Sequence, residues 1–323
     1  MTKSAISPPS LNLLQSPIPW LRAFWKFCRP HTIMGTSLSV LGLFGIAWAT
    51  RHPAGLSPGT FHVWQGLSSL WLTWLVCMCT NIYIVGLNQI EDVVADRIEK
   101  PYLPIASGEF SAAQAKMLVG IAGSGAILLT AVSQSFYLVV TVWLSLAIGT
   151  AYSLPPLRLK RSPMIASVCT LLIRGAVVNL GLFLHASSQL GLLPQIPIRV
   201  WVLTLVVLAF SGAIALLKTL RDRSDESDDA GTLTPAMALK ITWWLLSGCY
   251  LGLVLTAWLI PGLNTSFLVV THGLALLYFW YLSHQVQPDI SESTGFSVRD
   301  YYQFVWKLFF IEYLIFPTAC LLH

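Results

Sequence analysis

Asn88, Asp92 and Asp96 stand four residues apart in NQIEDVVADRIEKPYLP, residues 88 to 104. On a helix that spacing puts three oxygen-bearing side chains on one face, each a turn from the next. Two like charges so placed repel each other by about 0.2–0.5 kcal/mol on an exposed helix. The cost is larger beside a membrane, unless a cation sits between them. Oxygen-only ligands select hard cations, and Mg²⁺ keeps several waters and shares itself with substrate phosphates. One reading of the stretch is therefore a site for Mg²⁺ and a diphosphate. The other is a solvated loop that only sets topology.

Other segments bear on the choice. YSLPPLRLKRSP, residues 152 to 163, offers Arg158, Lys160 and Arg161 beside two prolines. It is either an ordinary basic loop or a cationic clamp for phosphate oxygens, which Arg can bind bidentately. Arg174 lies well inside the apolar run LLIRGAVVNLGLF, with Asn179 after it. A charge in that position is costly and is by default a functional hypothesis; its alternative is to snorkel or to pair inside the bundle. A second acidic stretch, KTLRDRSDESDD, runs from Lys218 to Asp229. Tyr83 precedes the first acids by about two turns, and Tyr152 heads the SLPP turn. Either ring could face an allylic cation. Carboxylates, a divalent cation, basic side chains and an apolar bundle together suit a lipid-tailed diphosphate, with its tail among helices and its head at their mouth.

The elements that carry these residues are long and apolar. The chain has 323 residues, 55 % of them hydrophobic and only 10 % charged, with mean hydropathy +0.68. A soluble protein is about 25 % charged. A bilayer core needs about 20 apolar residues of helix. Nine such spans are expected, near 32–49, 66–88, 113–133, 136–153, 164–186, 198–219, 238–260, 265–284 and 303–322. The fold class is thus an all-α, polytopic membrane bundle. Residues 1–30 read as a disordered lead and a basic interfacial helix, aromatics down and Arg22, Lys26 and Arg29 up. Residues 31–323 read as one nine-helix domain. Counted by loop parity, one side holds nearly all Lys and Arg and every acid except Glu312, while Arg51 and Arg199 fall opposite. The positive-inside rule makes the acid-bearing side cytoplasmic. The six cysteines show no metal or disulfide pattern. Nothing suggests a transporter, which would carry broken helices and acids at midplane.

These residues resemble the UbiA-type intramembrane prenyltransferases, whose first signature, NxxxDxxxD, stands here as Asn88, Asp92 and Asp96. RPHTIMGTSLSV, NIYIVGLNQIEDVVADRIEKPYLPIASGEFS, GTAYSLPPLRLKR, RGAVVNLGLFLH and YQFVWKLFFIEYLIFP are similar to the homogentisate phytyltransferase branch, in order and from about residue 22 onward. The resemblance implies Mg²⁺-dependent transfer of a phytyl group from phytyl diphosphate to homogentisate, with loss of CO₂, in tocopherol synthesis. It implies that Asn88, Asp92 and Asp96 bind one Mg²⁺ and the diphosphate, with Lys100 and Arg158 as diphosphate partners; Asp222 and Glu226 are the expected further metal ligands, and Lys218 and Arg174 further substrate contacts. The implied partners are an isoprenoid diphosphate, an aromatic acceptor and the bilayer, not nucleic acid. The lead is short for a plastid transit peptide, which favours a cyanobacterial-type thylakoid or plasma membrane. One departure stands out. The second family signature reads like KDxPDxxGD, but here Thr219 and Arg221 replace its first Asp and Pro, and Asp225 and Glu226 stand at its Gly-Asp ending. A second metal held by shifted acids, a different tail or acceptor (solanesyl, 4-hydroxybenzoate, chlorophyllide) and a non-catalytic lipid-binding homologue all remain open.

Overall fold

A computed structural model describes residues 11–51, 63–221, 234–286 and 297–323, and among them no β-strand forms. The chain begins with α1 (Pro17–Phe27), α2 (Pro30–Arg51), α3 (Val63–Glu91), α4 (Val93–Glu99) and α5 (Pro104–Ser107). It continues with α6 (Ala112–Val132), α7 (Phe136–Ser153) and α8 (Pro163–Leu171). A π-helical stretch over Leu172–Val178 leads into α9 (Asn179–Gln189). The last four helices are α10 (Ile198–Arg221), α11 (Pro235–Thr256), α12 (Thr265–Ser283) and α13 (Val298–Leu321). Nine described stretches are long and apolar enough to cross a membrane, with α8, the π stretch and α9 joined in one of them, Pro163–Gln189. The protein is an integral, multi-pass membrane protein. The expected spans fall on these nine, and the fourth coincides with α7. Polar caps mark the helix starts. Ser111 and Ser297 form reciprocal capping boxes with Gln114 and Asp300, and Asn264 accepts from the Phe267 amide.

The chain divides into two compact units: residues 1–40 with 67–161, and residues 41–66 with 162–323. In the first, α1 does not lie as the sequence suggested. Phe27 is fully buried in a cluster with Leu87, Ile105, Phe110 and Val119, and Trp20 and Phe24 pack against it. These rings face protein because the segment after α4 folds back beneath α1. Lys26 pairs with Glu109 at 2.7 Å, and the Leu11 amide donates to the Glu109 carbonyl. The outward apolar face consists instead of Ile18, Leu21 and Trp25. α1 is fixed to α3 by one buried bond: Gln89 Nε2 donates to the Phe27 carbonyl at 2.7 Å. One turn away, Gly86 admits the Phe27 ring, for a Cβ there would lie 2.7 Å from Phe27 Cζ.

In the second unit, α10 packs against α8, α11, α13 and the π stretch. Its buried charges account for the exceptions to charge segregation. Arg51 Nη1 donates to the Leu190 carbonyl, while Arg199 donates to the Gly262 carbonyl and to Thr50 Oγ1. Both guanidiniums are buried and bind helix ends and loops together. Glu312 is buried against His272, 3.0 Å from its Nε2. Tyr313 donates to Asn179 Oδ1 at 2.7 Å.

Gln89→Leu should release α1. It leaves the Phe27 carbonyl without its donor, at a cost of about 1–3 kcal/mol. Cys28, at the end of α1, reports the release: its thiol is buried, and burial pushes its pKa up to about 12. The wild-type thiol should resist maleimide at pH 7.5. In Gln89→Leu, peptide-resolved mass spectrometry should find it labelled; equal protection would show that the bond does not hold α1.

Candidate active site

The backbone amides of Asp92, Asp96 and Lys100 donate to the carbonyls of Asn88, Asp92 and Asp96, at 3.0, 2.8 and 2.8 Å. Each bond joins residues four apart, so the ladder of α3 runs on into α4 despite the turn at Asp92. Asn88, Asp92, Asp96 and Lys100 therefore form one column, as their spacing predicts. The column starts in the apolar helix and ends in the segment that carries α5. Gln89, in the same signature, sits on the neighbouring face and locks α1. Sequence reasoning missed that role, although a glutamine beside Asn88 and off its face was the available signal.

Each acid of the column meets a cation. Lys160 Nζ lies 2.6 Å from Asp92 Oδ1 and 3.0 Å from Asn88 Oδ1. Arg158 Nη2 lies 3.6 Å from the same Asp92 oxygen and donates to the Glu91 carbonyl. Lys100 reaches Asp96 Oδ1 at 3.2 Å and Glu99 at 3.3 Å. The basic turn reaches the column because Arg158 takes a left-handed backbone conformation, φ 35°. That region is uncommon for a residue with a side chain and is found where the surrounding structure enforces it. It turns the chain from α7 so that Arg158, and two residues later Lys160, arrive at the end of α3. The SLPPLRLKR segment thus meets the acids, as the clamp reading requires.

α7 supplies the polar groups beneath. Ser153 Oγ lies 3.5 Å from Asn88 Oδ1. Thr150 donates to the Leu146 carbonyl, so its oxygen accepts the Tyr83 hydroxyl proton at 2.8 Å. Sequence reasoning missed Thr150 and Ser153; short hydroxyls in an apolar helix give little signal. The Tyr83 ring rests on Gly123 of α6, where a Cβ would come 2.7 Å from Cδ2. Tyr152 is half-buried near the end of α7.

The remaining expected site residues belong to the second unit. Arg174 lies on the π-helical stretch, its guanidinium 4.8 Å from the centre of the Trp306 ring. π-helical turns recur at functional sites. Lys218 is exposed near the end of α10. Asp222 and Glu226 lie outside the described residues.

The donor set suits a hard cation. Its oxygens come from one amide and two carboxylates, without sulfur or imidazole. Asp96 is buried, yet its Oδ2 has no hydrogen-bond partner. A buried carboxylate oxygen normally finds a donor or a metal. Among the described residues no three His, Cys, Asp or Glu side chains converge. Asn88, Asp92 and Asp96 are the oxygen-bearing side chains of the column that could take part in holding a cation.

The profile of the UbiA prenyltransferase family matches residues 37–308. A homogentisate phytyltransferase of Synechocystis sp. is 42 % identical over 305 residues, covering 93 % of this chain and 96 % of its own. The chloroplastic homogentisate solanesyltransferase of Arabidopsis thaliana is 33 % identical, covering 91 % and 76 %. A UbiA homolog from Archaeoglobus fulgidus bound to DMAPP and Mg²⁺ shares the fold with a TM-score of 0.57 at 14 % identity, covering 92 % and 99 %.

Two glycines of α6 test the packing beneath the column. Gly123→Val should push the Tyr83 ring off Thr150 and cost about 1–3 kcal/mol as an overpacked contact. Gly120→Val, where nothing lies within 4 Å of the new Cβ, should leave the detergent melting temperature within about 2 °C of wild type. Equal melting of the two variants would mean that the Tyr83–Gly123 contact is not tight.

Proposed function

The chain belongs to the UbiA prenyltransferase family, and from that premise we propose that it transfers a phytyl group from phytyl diphosphate to homogentisate, as the tocopherol pathway requires. The site lies on the cytoplasmic side of a thylakoid or plasma membrane of cyanobacterial type. The observation that carries the reading is the column Asn88–Asp92–Asp96 with Lys160 and Arg158 on its free face. The Synechocystis relative bears the name of this activity at 42 % identity over nearly the whole chain.

Asn88, Asp92 and Asp96 would hold Mg²⁺, and Asp222 and Glu226 of the second motif would be its further acidic ligands. The chemistry Mg²⁺ contributes there is neutralisation of the diphosphate as it leaves. Lys100, Arg158 and Lys218 bind phosphate oxygens, and Arg174 adds a cation within the bundle. The C–O bond of phytyl diphosphate breaks and its electron pair departs with the diphosphate. The electron-rich hydroquinone ring forms the new C–C bond, so no covalent enzyme intermediate is required. Its carboxymethyl group loses CO₂. The proton that replaces CO₂ balances the one lost from the ring, and the product is a methyl-phytyl-benzoquinol. The apolar helices exclude water from the allylic cation. The rings of Tyr83 and Tyr152 offer it a negative face.

A second reading, with another tail, is favoured by one observation: a solanesyltransferase is 33 % identical over 91 % of the chain. Purified protein in liposomes, supplied with homogentisate and phytyl, geranylgeranyl or solanesyl diphosphate, separates the two. Phytyl diphosphate should give the highest kcat/KM, and release of pyrophosphate should stop with EDTA and return with Mg²⁺. Turnover with solanesyl diphosphate alone would replace the phytyl assignment. Asp92→Asn and Asp96→Asn should each lower kcat by at least about 100-fold, the scale of losing an electrostatic group at the reacting centre, with little change in melting temperature. Near-normal activity in either variant would remove that residue from the metal shell.

A further inference from the structure

Lys160 occupies the space that the proposed metal needs. Its Nζ lies between Asp92 Oδ1 and Asn88 Oδ1, at 2.6 and 3.0 Å. The neighbouring cation is placed differently: Arg158 stands 3.6 Å from Asp92 and also serves the Glu91 carbonyl. The Lys160 side chain is 12 % exposed against 29 % for Arg158, so it is the better withdrawn from water. An ammonium ion offers three rotatable donors at the tip of a flexible stem. It satisfies two oxygens as a hard cation would, with charge and close contact. Two cations cannot share those oxygens: each would exclude the other by volume and by like charge.

We propose that Lys160 is an exchangeable counter-ion of the metal site. It neutralises Asp92 and orients Asn88 until Mg²⁺ and diphosphate arrive, then leaves those oxygens for the diphosphate. The inference rests on the Mg²⁺–diphosphate reading above and adds an order to it. Metal alone must break the Lys160–Asp92 pair and leave a displaced ammonium without a partner. Diphosphate alone can draw Lys160 away only by uncovering Asp92. When both enter, each displaced charge finds an opposite one. Metal and diphosphate therefore bind with positive, reciprocal coupling, for which about 5–150-fold is the usual range. The coupling keeps the carboxylates covered until a substrate head is present. The Lys160 side chain, on its flexible stem, is the part that moves.

The test counts Mn²⁺ retained by detergent-purified protein, by electron paramagnetic resonance, with and without inorganic pyrophosphate. Free Mn²⁺ is held equal in the two arms after allowing for the metal that pyrophosphate itself binds. For wild type, pyrophosphate should tighten Mn²⁺ by about 5-fold or more. Lys160→Met should bind Mn²⁺ about 10-fold tighter than wild type without pyrophosphate, and no tighter, or more weakly, with it. Its coupling should collapse towards unity. Lys160→Gln, which keeps a hydrogen-bonding amide, should behave likewise, and melting temperatures confirm that both variants fold. Arg158→Met removes a charge beside Asp92 without vacating the gap between the oxygens, and should shift both arms in the same direction. Equal tightening in both arms for Lys160→Met would mean that Lys160 acts only as a nearby charge, and would overturn the exchange while leaving the metal reading intact. Absence of Mn²⁺ binding to wild type in both arms would overturn the metal reading, and the exchange with it.

Discussion

Carboxylates stacked one turn apart at the end of an apolar helix repel one another where water is scarce. Much of the first unit can be understood as an answer to that repulsion. Asp92 and Asp96 share a face because the α3 ladder continues through the turn between them. Each then draws its own cation, Lys160 to the first and Lys100 to the second. Lys160 arrives from a distant part of the chain, which requires the tight turn after α7 and the unusual backbone of Arg158. The charges thus determine a tertiary contact, the approach of the basic turn to the end of α3. An isolated surface pair would contribute about 0–1 kcal/mol and could not dictate such an arrangement. Partial burial and the sharing of Asn88 between Lys160 and Ser153 make this group a network rather than a pair.

The helices that hold the column come together without a hydrophobic force between them, since lipid is as apolar as their own side chains. Close approach and polar contacts take its place. Gly123 lets the Tyr83 ring approach α6 closely, Gly149 accepts Ile84, and Gly86 accepts Phe27. Thr150 and Gln89 provide the directed bonds. Two of these contacts involve α1, which is therefore part of the packing behind the signature and not only a membrane anchor. Its exposed residues Ile18, Leu21 and Trp25 keep the amphipathic character that the sequence suggested, on a different set of side chains.

That difference illustrates what was legible. The nine spans were, because about 20 apolar residues in a row leave little alternative. The column was, because helical spacing is a property of three residues in one segment. The face of α1 was not, because Phe27 and Trp20 turn inward only once PYLPIASGEF folds beneath them, a contact between distant segments. Lys160 was visible as one of three basic residues in a loop; its seat on Asp92 and Asn88 depends on the φ of Arg158. Arg174 was visible as a costly charge, whereas the Trp306 ring beneath it lies more than a hundred residues on. Single-segment periodicity is readable from a sequence; the choice of partner across the fold is not.

The charges outside the column help to separate a binding site from a loop that only sets topology. Arg51, Arg199, Glu312 and His272 are buried, and each has a defined partner: a carbonyl, a hydroxyl or the other member of a pair. Buried charges here are therefore built into helix ends and helix contacts. A topology-setting carboxylate needs none of this, since it can stay solvated. Asp96 is closer to the buried charges than to a solvated one. It is as buried as the structural charges and, like Glu312, has one oxygen paired and the other without a donor, a condition that costs about 1–3 kcal/mol or more for a charged group. Asp96 differs from Glu312 in its setting: it follows Asn88 and Asp92 on one hydrogen-bonded ladder, and its partner is a partly exposed lysine rather than a fully buried histidine.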